Sequence, residues 1–137
     1  FIECGAIHPA PKLAMPERLH SLSLELEAVI TRYQPQQAAI EETFVSVDGQ
    51  STLKLGQARG AILLTLARAN LPVYEYAARL VKKSISGSGR ADKNQVAQMV
   101  RYLLPKSNAA TPDAADALAV AICHAHHGAQ LSVASNT

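Results

Sequence analysis

Two short apolar runs of strand character, Ala38 to Val45 and Pro72 to Tyr76, lie either side of a long helical stretch, and this alternation most restricts the fold. The helical stretch runs from about Ser51 to Ala69, with Leu53, Gly56, Gly60, Leu63, Leu64 and Ala67 forming a stripe of small and aliphatic residues. A second helix precedes the first run: Pro16 suits a first turn, and Leu19, Leu22, Leu26, Val29, Ile30 and Tyr33 recur at steps of three and four until Gln34-Pro35. Phe1 to Ile7 alternates like a further strand. A short helix is expected from Ala77 to Lys83, leading into the connector Ser86-Gly87-Ser88-Gly89, and helical spacing resumes from Asn94 to Leu104. The last helix has a marked start, Thr111 as N-cap and Pro112 at the first position, and is expected to stop at Gly128. Helices alternating with strands define an α/β protein with both sheet faces covered.

With 137 residues, 48% of them hydrophobic, the composition fits a single domain, taken as 1–128 followed by a flexible tail at 129–137. No apolar stretch reaches the roughly 18 residues a membrane span needs. Cys4 and Cys123 lie far apart without CxxC spacing, so both are read as reduced thiols rather than as a disulfide or zinc ligands. Net charge is only +2, but between Lys82 and Lys106 six basic residues face one acid, Asp92, leaving −3 on the remainder. The positive charge is regional.

Asp113 and Asp116, three apart at a helix start, project from one side of the first turns and can converge on one ion. Acids are also favoured there simply by the helix dipole. Alanines at 109, 110, 114, 115, 117 and 119 leave room for close approach of a sheet or a substrate backbone. Glu41 ends an apolar strand, where sites of open α/β sheets gather, though a strand-end carboxylate can equally be a solvated surface group. Carboxylates converging with oxygen-only ligation suit Mg²⁺. The run Cys123-His124-Ala125-His126-His127 is read as imidazoles favoured at a helix C-terminus rather than as a metal site. The Ser86–Gly89 connector lacks the GxxxxGK[ST] pattern of a P-loop.

Ala39-Ile40-Glu41 with Phe44, then Leu55-Gly56-Gln57-Ala58-Arg59-Gly60, then Val73-Tyr74-Glu75-Tyr76-Ala77, then Asp113-Ala114-Ala115-Asp116-Ala117-Leu118-Ala119, taken in order, resemble the RuvC crossover junction endodeoxyribonucleases. The resemblance covers the chain as far as about His127. It implies an RNase H-like mixed sheet flanked by helices and a Mg²⁺-dependent endonuclease that resolves four-way (Holliday) junctions in recombination and DNA repair by paired symmetric nicks. Glu41, Asp113 and Asp116 would then be the second, third and fourth acids of a site that holds two ions. The family's first acid, an aspartate in an apolar-Gly-apolar-Asp-Pro-Gly run on an N-terminal strand, has no counterpart here, so the sheet is expected to lack that strand.

The same resemblance makes Phe44 a base-stacking residue, against the alternative of a core ring, and makes Lys82 and Lys93 DNA-binding lysines, with Lys83, Arg90 and Arg101 as candidates to widen their patch. It further implies a cytoplasmic homodimer built on the Gly56/Gly60 helix, working with RuvA and RuvB. Two other readings stay open: a junction-binding protein without catalysis, for want of the first aspartate, and an RNase H-like nuclease acting on another branched or RNA-containing substrate.

Overall fold

The computed structural model describes residues 1–42, 47–108 and 111–134, and side chains as far as residue 128. The elements in chain order are α1 (Met15–Tyr33), β1 (Ala38–Glu41), α2 (Gly49–Arg68), β2 (Val73–Tyr76), α3 (Ala78–Ser86), α4 (Lys93–Leu103) and α5 (Pro112–Ala134). The chain is α/β, as its alternating periods require. Strands β1 and β2 are neighbours in one sheet. Ala38 N donates to Pro72 O and Glu42 N to Tyr76 O, each at 2.9 Å. Both strands advance four residues between those bonds, so the pair is parallel, and parallel strands need a crossover, here α2.

The described residues divide into two compact units where composition pointed to one domain. One holds α1 and α2, which pack together. Inside it Thr65 is buried; its hydroxyl donates to Ala61 O at 2.7 Å, so in the 2.7 Å bond with Ser23 Oγ the serine is the donor. Asp48 starts α2 by accepting from Gln50 N at 3.1 Å and Ser51 N at 3.3 Å. The helix therefore starts at Gly49, two residues before the expected Ser51, on the Asp48 cap. Gln34 closes α1 in the left-handed conformation at φ 47°, its N–H on Ile30 O.

The other unit joins Phe1–Ala6, Ala39–Glu42 and the chain from Glu75 onward. Its helices α3, α4 and α5 pack pairwise around Val81, Ile85, Val96, Val100, Leu118 and Cys123, all buried. Val81/Ile85 and Val96/Val100 are i, i+4 pairs, so each short helix turns one narrow stripe inward and keeps its lysines and arginines outside. Gly87, at φ 78°, ends α3. A reciprocal capping box starts α4, Asp92 accepting from Gln95 N and Gln95 from Asp92 N, both at 2.9 Å.

Three boundary expectations give way. Phe1 to Ile7 forms no strand: alternation chooses a face but cannot supply a ladder, the sheet of the described residues consists of β1 and β2, and Ile2 remains 79% exposed. Gly128 does not stop α5, whose helix continues to Ala134, so 129–134 is helical backbone rather than tail. The glycine serves packing instead, because a Cβ on it would stand 3.0 Å from His124 Cε1. The histidines consequently sit within the helix, not at its C-terminus. Among the described residues no helix is long and apolar enough to cross a membrane.

Candidate active site

Glu41 is the last residue of β1, and the bond from Glu42 N to Tyr76 O holds the strand end beside β2. On α5, Thr111 Oγ1 accepts from Ala114 N at 3.2 Å, and the buried Ala114, Ala115, Leu118 and Ala119 seat the first turns in the core. Their small volume lets the helix start lie close in, as expected; positions 109 and 110 lie outside the described residues. Asp116 is half-buried at the margin of this seat and Asp113 is exposed.

The electrostatics show what these elements bring together. Partial burial raises the Glu41 carboxyl above the ordinary range, and the Asp116 carboxylate raises it further, while Lys82 on α3 and Lys93 at the start of α4 draw it down. Three of the charged residues singled out from the sequence thus act on the carboxyl group of a fourth. Neighbouring carboxylates with lysines close by are a combination that a divalent cation and a phosphate can use. Hard carboxylate oxygens suit Mg²⁺, and Glu41 with Asp116 fit it as a pair. Asp113 is not among the groups that act on Glu41, and among the described residues no three His, Cys, Asp or Glu side chains stand close enough together to hold an ion. Phe44 lies outside the described residues.

The histidine run is consumed by local bonding. His124 Nδ1 and the Tyr76 hydroxyl share a 2.6 Å hydrogen bond, His126 Nδ1 and Ser84 Oγ one of 3.1 Å, and His127 Nδ1 donates to Cys123 O at 2.9 Å. Both cysteines are free, and burial pushes the Cys123 thiol up. Tyr76, on the strand that holds the end of β1, is therefore fixed from α5. Sequence reasoning missed this positioning role, because a partnership across 48 residues leaves no local pattern.

The family model described as "Crossover junction endodeoxyribonuclease RuvC" matches residues 1–124. The protein of that name from Xanthobacter autotrophicus is 58% identical over 127 residues, covering 93% of this chain and 75% of its own length. The one from Paramagnetospirillum magneticum is 59% identical over 123 residues, covering 90% and 74%. Among solved structures, Thermus thermophilus RuvC superposes with a TM-score of 0.79 at 34% identity, over 90% of this chain and 75% of that one. T. thermophilus RuvC in complex with Holliday junction substrate gives 0.80 at 36%, over 87% and 73%. The architecture is thus that of the RNase H-like proteins. Within that class the chain belongs to the RuvC crossover junction endodeoxyribonuclease family, and it spans about three quarters of the length of these relatives.

Proposed function

We propose that this chain is a structure-specific DNA endonuclease that resolves four-way junctions in recombination and repair, cutting two strands symmetrically by Mg²⁺-assisted phosphodiester hydrolysis. The observation that carries the reading is the convergence of Asp116, Lys82 and Lys93 on Glu41. The names of its relatives, and the junction substrate bound by the Thermus protein, support the choice of substrate.

Glu41 and Asp116 would hold the cation, with Asp113 one turn earlier on α5 as a further carboxylate at its edge. Mg²⁺ bound there supplies Lewis-acid stabilisation of the phosphoryl oxygens and acidifies the attacking water. A second ion of the kind the family resemblance implies would draw on ligands beyond this pair. Lys82 and Lys93 hold the scissile strand by its phosphates, offsetting the charge the acids would otherwise turn against DNA. Phe44, three residues beyond Glu41, would stack on bases at the crossover.

Two cuts need two sites, and α2 offers the means. Leu53 and Leu64 are 63% and 61% exposed, and the space over Gly56 and Gly60 is open. A second copy packed on this small-and-aliphatic face would pair two sites about a dyad, matching the symmetry of a four-way junction. RuvA and RuvB as partners, and a cytoplasmic location, belong to the same reading.

A second reading, junction binding without catalysis, draws on the absence of a three-acid group among the described residues. The two separate on a synthetic four-way junction. Glu41→Gln, Asp113→Asn and Asp116→Asn should each lower nicking in Mg²⁺ by roughly 100-fold or more, since losing even an outer-shell partner of a metal costs about 10–100-fold. Junction binding should stay within about threefold, because these acids hold metal rather than DNA. Wild-type protein that binds the junction and leaves it intact would establish the second reading, and a variant nicking at the wild-type rate would remove its residue from the site.

A further inference from the structure

Gly87, Ser88 and Gly89 of the connector, unexplained by the acid site, close one side of an open groove of about 650 Å³ that they line together with Ala77, Arg79, Leu80, Lys83 and Arg90. Among the described residues no carboxylate lines it. The nearest acid in sequence, Asp92, is committed to the start of α4, where it accepts from Gln95 N at 2.9 Å. All three cations are exposed, and among the described residues none of them is held in an ion pair.

The groove is built rather than incidental. Arg79 and Lys83 are one turn apart on α3 and so share a face. Gly87, at φ 78°, ends the helix and turns the chain back, and Ser88 Oγ accepts from Arg90 N at 3.2 Å, fixing the backbone from which the third cation projects. Gly89 has a separate duty. A Cβ there would meet Arg79 Cγ at 2.7 Å and Nε at 3.1 Å, so the Arg79 side chain lies across the glycine, in space that any other residue would take.

We infer that this groove is a second phosphodiester-binding site, distinct from the Lys82/Lys93 pair, that grips the backbone of a duplex DNA arm. The inference rests on the nuclease reading for the identity of the duplex. Three exposed cations around one concavity fit a polyanion, and two guanidinium forks fit phosphate oxygens in particular. Lys82 adjoins Lys83 on α3, so a backbone gripped here runs on towards the acid site. The groove carries no base-reading device, and its contribution is expected to be independent of sequence.

The test uses the full-length protein and measures binding to a four-way junction and to a linear duplex across a salt series. Each phosphate contact contributes about 0.9 to the slope of log affinity against log salt. In Arg79→Ala/Lys83→Ala/Arg90→Ala the slope should fall by about 1.8 to 2.7, for two to three contacts, shrinking the affinity change between 50 and 200 mM salt by roughly 10- to 40-fold. Arg79→Lys should keep most of the slope. Gly89→Ala should cost nearly one contact in the wild type and nothing further in Arg79→Ala, since its Cβ displaces that side chain. A triple variant with the wild-type slope on both DNAs overturns the site. A Gly89→Ala loss that persists without Arg79 overturns the place given to that arginine. Failure of the nuclease reading looks different: the wild type would then leave a four-way junction uncut in Mg²⁺, while the groove's share of the duplex slope would still be read.

Discussion

Replacing Gly128 by alanine tests the chain of contacts from α5 to the acid site. In an unobstructed helix interior alanine is about 0.8–1.0 kcal/mol better than glycine. At this position the new Cβ stands 3.0 Å from His124 Cε1 and 3.4 Å from both ring nitrogens, and the ring must retreat by a few tenths of an ångström. The ring has little freedom to do so. Its Nδ1 is bound at 2.6 Å to the hydroxyl of Tyr76, a residue only 5% exposed. Weakening that bond costs about 0.5–1.5 kcal/mol, and stranding the buried hydroxyl costs about 1–3 kcal/mol. The losses outweigh the propensity gain, so Gly128→Ala should destabilise by about 0.5–1.5 kcal/mol where helix propensity alone promises stabilisation.

In a His124→Ala background the obstruction is gone, and the same substitution should stabilise by about 1 kcal/mol. Denaturant unfolding of the four proteins closes a double-mutant cycle with an expected coupling of about 1.5–2.5 kcal/mol. A stabilisation of about 1 kcal/mol in both backgrounds would refute the reasoning, since it would mean that the ring yields freely and the Tyr76 bond restrains nothing. Tyr76 O also accepts from Glu42 N at 2.9 Å. The wild-type-background variant should therefore nick more slowly than its binding explains.

Three further outcomes follow from the charges and the exposed face. Burial first and Asp116 second hold the Glu41 proton more tightly in the folded chain than in the unfolded one, so without divalent ions stability falls as pH rises through the window from the ordinary carboxylate value to the raised one. Glu41→Gln should match the wild type below that window and exceed it above by about 0.2–1 kcal/mol, a modest figure because the group is exposed; coincident thermal midpoints across the range would contradict it. Lys82→Ala and Lys93→Ala should each flatten the salt dependence of junction binding by about 0.9, and unchanged slopes would return both lysines to the solvated surface. Leu64→Arg should shift sedimentation from dimer to monomer at micromolar concentration, whereas an unchanged mass would place the dimer contact elsewhere.

What could be read from the sequence divides along a physical line. The helices were legible because each carries its own evidence: i, i+4 apolar pairs such as Val96/Val100, and caps such as Thr111, are local, and local patterns survive in one dimension. The acids Glu41, Asp113 and Asp116 could be named, but composition left Asp113 and Asp116 open to the bland reading of a helix start, and only the ordered motifs of the family resemblance tipped it. In the structure Asp116 acts on Glu41, and Asp113 is not among the groups that do.

The misreadings share one cause. Phe1 to Ile7 has the alternation of a strand, but a strand is completed by a neighbour, and the local sequence does not say whether one is there. Gly128 has the look of a helix stop, but glycine also marks a place where another group needs the space a Cβ would fill, and the group in question, His124, is fixed by a tyrosine 48 residues away. Gly89 repeats the lesson beside Arg79. Glycines in a single sequence therefore announce two different demands, on φ and on volume, and only φ has a local signature. Gly87 at the end of α3 meets the first demand. Gly89 and Gly128 meet the second, and each makes room for a side chain, Arg79 at the groove or His124 bound to Tyr76.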